Sequence, residues 1–105
     1  NILFICSRNE WRSRTAETIF KKSQHHHVKS AGTSATARIK VNDKLLNWAD
    51  IIFVMEAKHK QIITDRFPYI IDDKQLFVLD ILDNYTYMDS ELIDELKDLV
   101  SDIEW

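Results

Sequence analysis

The sequence predicts an α/β protein, a three-layer sandwich in which helices cover both faces of a four-stranded parallel sheet. Short apolar runs such as Ile2–Cys6 and Ile51–Met55 alternate with segments of helical periodicity. These runs are continuously apolar, which is typical of strands that are buried on both faces of a sheet. The strand–helix pair repeats four times, and such repeats form parallel sheets with right-handed crossovers.

The first two strands are predicted around a polar loop and a helix. Ile2–Cys6 is the first strand and Ser7–Arg12 is the loop. Ser13–Ser23 is predicted to be helical because its apolar and charged residues fall on opposite faces. His27–Ala31 is the second strand, and Gly32 ends it.

The second half of the chain adds two strands and three helices. Pro68 is expected to end the helix that precedes it. Asp89 is a good N-cap for the last helix, whose apolar residues form one face. In chain order the predicted elements are helix Val41–Ala49, strand Ile51–Met55, helix Ala57–Phe67, strand Leu76–Ile81 and helix Asp89–Trp105.

The composition indicates a globular domain and excludes several classes of protein. At 105 residues the length predicts a single domain over residues 1–105. The net charge of −3 and the pI of about 5.8 argue against a nucleic-acid or membrane-surface partner. Neither a basic region nor a cleavage motif flanks the first apolar run, so a cytoplasmic location is expected. Nothing in the sequence indicates an oligomeric state.

The histidines and the lone cysteine do not predict a metal site. One cysteine can form neither an intrachain disulfide nor a Cys-rich metal site. His25, His26 and His27 are adjacent, and adjacent strand residues alternate between faces, so they are expected to be solvated edge residues. His59 is expected on an exposed helix face. No metal and no cofactor are therefore predicted.

The loop after the first strand carries the candidate chemistry. It begins with Cys6 and ends with Arg12 and Ser13 at the start of a helix. Backbone N–H groups of a tight loop, together with a helix N-terminus, bind oxyanions. Arg12 can grip two oxygens of a phosphate. We therefore predict a phosphate-binding loop made of Ser7, Arg8, Asn9, Glu10, Trp11, Arg12 and Ser13.

Cys6 is the candidate nucleophile of this loop. The positive field of the loop favours its thiolate, which can attack a bound phosphate in line and form a phosphocysteine. Ser13 can donate its hydroxyl hydrogen to that thiolate. The alternative interpretation is that Cys6 is a small buried apolar residue. In the same way Arg8, Arg12 and Arg14 could form a solvated basic patch or an RNA contact, which the nearby Glu10 and Glu17 and the acidic total make less favoured.

On these residues the sequence resembles the low-molecular-weight protein tyrosine phosphatase family. The resemblance implies a flavodoxin-like topology and a cysteine-dependent phosphatase acting on phosphotyrosine or other aryl phosphates. The partner would then be a phosphorylated protein or a small aryl phosphate, and no metal or cofactor would be needed. Beyond the loop, the matching stretches are Thr15-Ala16-Glu17, Ser30-Ala31-Gly32-Thr33, Ala49-Asp50-Ile51-Ile52 and Met55-Glu56.

The resemblance also implies a general acid near the C-terminus. The family uses an aspartate in an Asp-Pro-Tyr segment, and the matching stretch here is Leu82-Asp83-Asn84-Tyr85. Asp83 would protonate the leaving oxygen and later activate water. Asp80 lies in the same loop and is the alternative acid. Tyr85 and Tyr87 could line the pocket and stack on a substrate ring.

Three departures from the family pattern leave other functions open. Arg8 replaces a smaller residue, Asn84 replaces the proline, and the chain is shorter between Gly32 and Ala49. One alternative is a catalytically weak phosphate-binding or regulatory module. Another is an arsenate reductase, which is less favoured because the chain has no further cysteine to relay oxidation.

Overall fold

The computed structural model describes residues 1–22 and 25–101, and within them four strands form one parallel sheet. The order across the sheet is β2-β1-β3-β4, so the first strand lies in the interior. This is the flavodoxin-like order, and the predicted α/β class and topology are confirmed. The strands are β1 Ile2–Cys6, β2 Val28–Gly32, β3 Ile51–Val54 and β4 Gln75–Val78.

Helices cover both faces of the sheet, and the side chains along β1 therefore alternate between two separate cores. Ile2 and Phe4 pack with residues of α1 and α5, whereas Leu3 and Ile5 pack with residues of α2 and α3. All five β1 residues are buried, as expected for a strand covered on both faces. The helices are α1 Arg12–Phe20, α2 Asp43–Trp48, α3 Ala57–Arg66, α4 Pro68–Ile71 and α5 Ser90–Ser101.

Several element boundaries differ from the sequence prediction, among them those at Pro68 and at the end of the fourth strand. Pro68 does more than end α3, because it also begins the short helix α4, where its missing N–H costs nothing. The fourth strand ends at Val78, not at Ile81 as predicted. Asp80 adopts a left-handed conformation with φ 60°, which interrupts the strand. The backbone N–H of Ile81 nevertheless donates to Met55 O at 2.8 Å and so returns the chain to the edge of β3.

The last helix begins where the sequence predicts. Asp89 Oδ1 accepts hydrogen bonds from the backbone N–H groups of Glu91 and Leu92, at 2.9 and 3.4 Å. The rest of the predicted helix to Trp105 and the predicted end of the first helix at Ser23 lie outside the described residues. For that reason the single domain over 1–105 stays a prediction. In the described ranges no helix has the length and apolar character needed to cross a membrane.

Candidate active site

The loop between β1 and α1 folds around the sulfur of Cys6. Cys6 is buried at the carboxyl end of the interior strand β1. Asn9 has φ 58°, a left-handed conformation that asparagine tolerates better than most residues. This turn brings the backbone N–H of Asn9 to 3.2 Å from Cys6 Sγ, where it donates to the sulfur. The loop therefore places a backbone donor at the position of the predicted thiolate.

Ser13, in the first turn of α1, approaches the sulfur from another side. Its Oγ lies 3.0 Å from Cys6 Sγ and accepts a 2.8 Å hydrogen bond from Asn9 Nδ2. Because the asparagine amide donates to Ser13, the serine hydroxyl hydrogen is left for the sulfur or for Ala31 O at 3.4 Å. The shorter of these two contacts is the one to the sulfur. The structure thus brings Cys6, Asn9 and Ser13 together as a buried network.

The segment after β2 braces the loop from outside. The backbone N–H groups of Thr33, Ser34 and Arg38 donate to the carbonyls of Cys6, Ser7 and Arg8, at 3.0, 2.8 and 2.9 Å. Gly32 permits this approach, since a Cβ there would lie 2.5 Å from Ser7 O. The segment between Gly32 and Ala49, which is shorter than the family pattern, therefore still fixes three consecutive carbonyls of the loop.

Arg12 is 2% exposed, and its guanidinium is anchored on one edge. Nη1 donates to Glu56 Oε2 at 2.7 Å and to Ile81 O at 2.8 Å, which uses both of its hydrogens. The remaining fork for an oxyanion consists of Nε and Nη2. Partial burial opposes the ionisation of Glu56, but the hydrogen bond and charge of Arg12 prevail and lower its pKa.

A buried histidine touches the loop on its other side. His59 is fully buried, and its Nε2 lies 2.9 Å from Ser7 Oγ. Its Nδ1 accepts a 3.0 Å hydrogen bond from the backbone N–H of Glu56. Burial, reinforced by the Arg12 cation, lowers the pKa of His59 to about 4, so the ring is neutral at physiological pH. The expectation of an exposed His59 was wrong, because α3 turns this side chain toward the loop.

The loop opens onto a cavity of about 110 Å³. Asp83 reaches this cavity, and its Oδ1 lies 3.6 Å from Arg12 Nε. Asp80 is exposed and is not among the lining residues. The lining consists of Cys6, Ser7, Arg8, Glu10, Trp11, Arg12 and Asp83.

The two predicted pocket tyrosines do not line this cavity. Tyr85 donates its hydroxyl to Glu95 Oε2 at 2.9 Å, and this bond raises its pKa. The Tyr87 hydroxyl lies 2.8 Å from Thr18 Oγ1, and the Arg14 guanidinium covers its ring at 4.4 Å. Both tyrosines are thus engaged by helices next to the site, which explains why the structure does not bring them into its wall.

Sequence reasoning missed the positions of Glu56 and His59. Met55-Glu56 was noted only as a matching stretch, and no spacing rule connects Glu56 to Arg12, which lies 44 residues earlier. Across residues 1–22 and 25–101, no group of three or more His, Cys, Asp or Glu side chains could hold a metal ion.

A comparison with known protein families covers the same part of the chain. The family model for low molecular weight phosphotyrosine protein phosphatase matches residues 1–46, which include the whole loop from Cys6 to Ser13. Comparison with curated protein sequences gives no match.

Solved structures extend the likeness to the whole fold. The YwlE arginine phosphatase from Geobacillus stearothermophilus is 26% identical, with a TM-score of 0.76 over 95% of this chain and 87% of that one. A low molecular weight protein tyrosine phosphatase from Streptococcus pyogenes is 16% identical, with a TM-score of 0.76 over 99% and 93%. The tyrosine phosphatase Wzb from Escherichia coli K30, in complex with phosphate, is 21% identical, with a TM-score of 0.71 over 96% and 90%. At these identities the last two show the fold alone. Taken together, the family match over residues 1–46 and the solved structures support the resemblance to the low-molecular-weight protein tyrosine phosphatases on which the sequence prediction rests.

Proposed function

We propose that this chain is a phosphatase that transfers a phosphoryl group first to Cys6 and then to water. The observation that carries the proposal is the juxtaposition at one cavity of a donor-bound cysteine sulfur, a buried arginine and an exposed carboxylate. Cys6 accepts from Asn9 N–H at 3.2 Å, and Arg12 and Asp83 line the same cavity. Nucleophile, oxyanion clamp and acid are the three groups that phosphoryl transfer through a covalent intermediate needs.

In the first half-reaction the Cys6 thiolate attacks phosphorus opposite the leaving oxygen. The S–P bond forms while the P–O bond to the substrate breaks. Asp83 in its carboxylic acid form gives its proton to the departing oxygen. The Nε and Nη2 edge of Arg12 holds two of the phosphoryl oxygens as charge spreads over them.

In the second half-reaction water attacks the phosphocysteine. The Asp83 carboxylate accepts the proton of that water, the P–S bond breaks, and inorganic phosphate leaves. The departing Cys6 thiolate is stabilised by its two neighbours, the Asn9 backbone N–H and the Ser13 hydroxyl. The same donors that favour attack therefore also favour release.

A phosphorylated protein or a small aryl phosphate is the first substrate class proposed. Trp11 is 43% exposed at the cavity, where its ring can stack on a phenyl group. Because the nucleophile must remain a thiol, a reducing compartment such as the cytoplasm is part of the proposal.

A second substrate class is protein phosphoarginine. Glu10 lines the cavity with a side chain that is 41% exposed, and its carboxylate lies 3.6 Å from Arg8 Nη2. Because this ion pair is long and exposed, the carboxylate can exchange it for the guanidinium of a substrate. The structure that is 26% identical is described as an arginine phosphatase. With such a substrate the same Cys6 attack would break a P–N bond instead of a P–O bond.

The test is turnover of p-nitrophenyl phosphate, a phosphotyrosine peptide and a phosphoarginine peptide by the wild type and by Cys6→Ser. We expect turnover by the wild type only, and a phosphorylated enzyme by mass spectrometry after rapid acid quench. Binding of phosphate without turnover would instead favour a weak phosphate-binding module. Arsenate reduction supported by an external thiol would favour a reductase.

A further inference from the structure

We infer that His59 is a positioning residue for the reaction, which acts by holding the Ser7 hydroxyl as a hydrogen-bond donor to a phosphoryl oxygen in the loop. The inference rests on the proposed function, because it concerns how the phosphoryl group is bound. Its first support is the position of Ser7, which follows the nucleophile directly and lines the cavity.

The tautomer of His59 follows from its two contacts. The backbone N–H of Glu56 can only donate, so His59 Nδ1 must accept and carries no proton. In a neutral ring the hydrogen is then on Nε2. Nε2 therefore donates to Ser7 Oγ across 2.9 Å.

This donation determines what Ser7 can do. A serine hydroxyl that accepts from His59 keeps its own hydrogen for another partner. Since Ser7 lines the cavity, an oxygen of a bound phosphoryl group is a partner within the site. If His59 held its proton on Nδ1 instead, Ser7 would have to donate to Nε2 and would be lost as a donor to substrate.

The competing explanation is that His59 only caps α3. It stands at the third position of the helix, where glutamate or glutamine usually accepts from the N-cap backbone. A pure cap would act on folding and would not depend on Ser7. A double-mutant cycle separates the two roles, because only a residue that acts through Ser7 loses its effect when the hydroxyl is removed.

The cycle consists of wild type, His59→Ala, Ser7→Ala and the double variant, assayed with p-nitrophenyl phosphate. We expect each single variant to lose about 10- to 100-fold in kcat/KM, the scale of one hydrogen bond to a charged group. The double variant should lose no more than the worse single variant. His59→Gln offers both an acceptor for the cap and a donor for Ser7, and it should recover most of the activity. Lys60→Ala changes the exposed neighbour on the same helix and is the matched control.

Multiplying losses in the double variant, or full activity of Ser7→Ala, would overturn the inference. If His59→Ala does not fold, His59→Glu takes its place in the cycle. An ionised glutamate still accepts from the N-cap backbone of α3, but it has no hydrogen to donate to Ser7. Ring ¹⁵N chemical shifts of the wild type test the tautomer without any variant, and a proton on Nδ1 would contradict it. A wild type without turnover would contradict the proposed function itself. Losses that multiply in the double variant of an active enzyme would contradict only the inference about His59.

Discussion

Acidification from about pH 6.5 to pH 4 should destabilise this fold because of His59. In the unfolded chain a histidine takes up a proton near pH 6.5, whereas burial and the Arg12 cation lower the pKa of His59 to about 4 in the folded chain. Glu56 and Asp83 oppose this shift and Lys58 adds to it. Between the two values the unfolded state binds more protons than the folded state. Lower pH therefore favours unfolding in this window.

The magnitude follows from the difference between the two pKa values. The values of 6.5 and about 4 are separated by about 2.5, and each pH unit between them costs about 1.4 kcal/mol. The folded chain should thus lose about 3 kcal/mol of unfolding free energy by pH 4, a large share of what a small domain has. Glu56 acts at the acidic end of this window and below it. Its pKa is lowered from 4.5, so its contribution is complete above that value and is lost only as the pH falls through its folded pKa.

Urea unfolding at several values between about pH 4.5 and pH 7 measures the effect. The free energy of unfolding of the wild type should fall across this range, and His59→Gln should remove most of the slope. Lys60→Gln alters the adjacent exposed residue and should keep the slope. A wild type whose stability is flat in this range, or an equal slope in His59→Gln, would refute the account of a buried neutral histidine.

Three further outcomes test the proposed roles at the cavity. Arg12→Lys should lose nearly as much kcat/KM as Arg12→Ala, because an ammonium cannot replace the planar Nε–Nη2 fork; near-normal turnover of the lysine variant would show that charge alone suffices. Asp83→Asn should slow phenyl phosphate hydrolysis by about 10²- to 10⁴-fold, and the loss should be smaller for better leaving groups. Asp80→Asn should slow hydrolysis much less, and the reverse ranking would assign the acid to Asp80. Inorganic phosphate should protect Cys6 from iodoacetamide, and equal alkylation with and without phosphate would argue against a phosphate bound over the sulfur.

The sheet and its connections could be predicted because their signals are local in the sequence. A continuously apolar run such as Ile2–Cys6 specifies a strand covered on both faces, and the alternation with helices then specifies parallel pairing. The end of β4 could not be found in this way. Leu79 and Ile81 are as apolar as the strand before them, and only the left-handed backbone at Asp80 shows that regular pairing stops at Val78.

The same distinction, between features with a local signal in the sequence and features without one, applies to the site. The loop from Cys6 to Ser13 is one continuous segment, so residue types and spacing could predict the approach of the Ser13 hydroxyl to the Cys6 sulfur. His59 meets Ser7 across 52 residues, and no periodicity within α3 shows that one polar residue faces inward. Such contacts depend on how the helix docks on the sheet, which the sequence pattern does not encode locally.

The two carboxylates around Arg12 differ in a way that fits two separate tasks. Glu56 is 20% exposed and holds Nη1 at 2.7 Å, whereas Asp83 is 55% exposed and lies 3.6 Å from Nε. A buried guanidinium needs a partner at all times, and Glu56 provides one on the edge that Ile81 also binds. The Asp83 contact is exposed and long, so giving it up costs little. A phosphoryl group can therefore bind the Nε edge of Arg12 while Glu56 keeps the arginine side chain in place. Asp83 is then released next to the leaving oxygen, where the proposed acid must act.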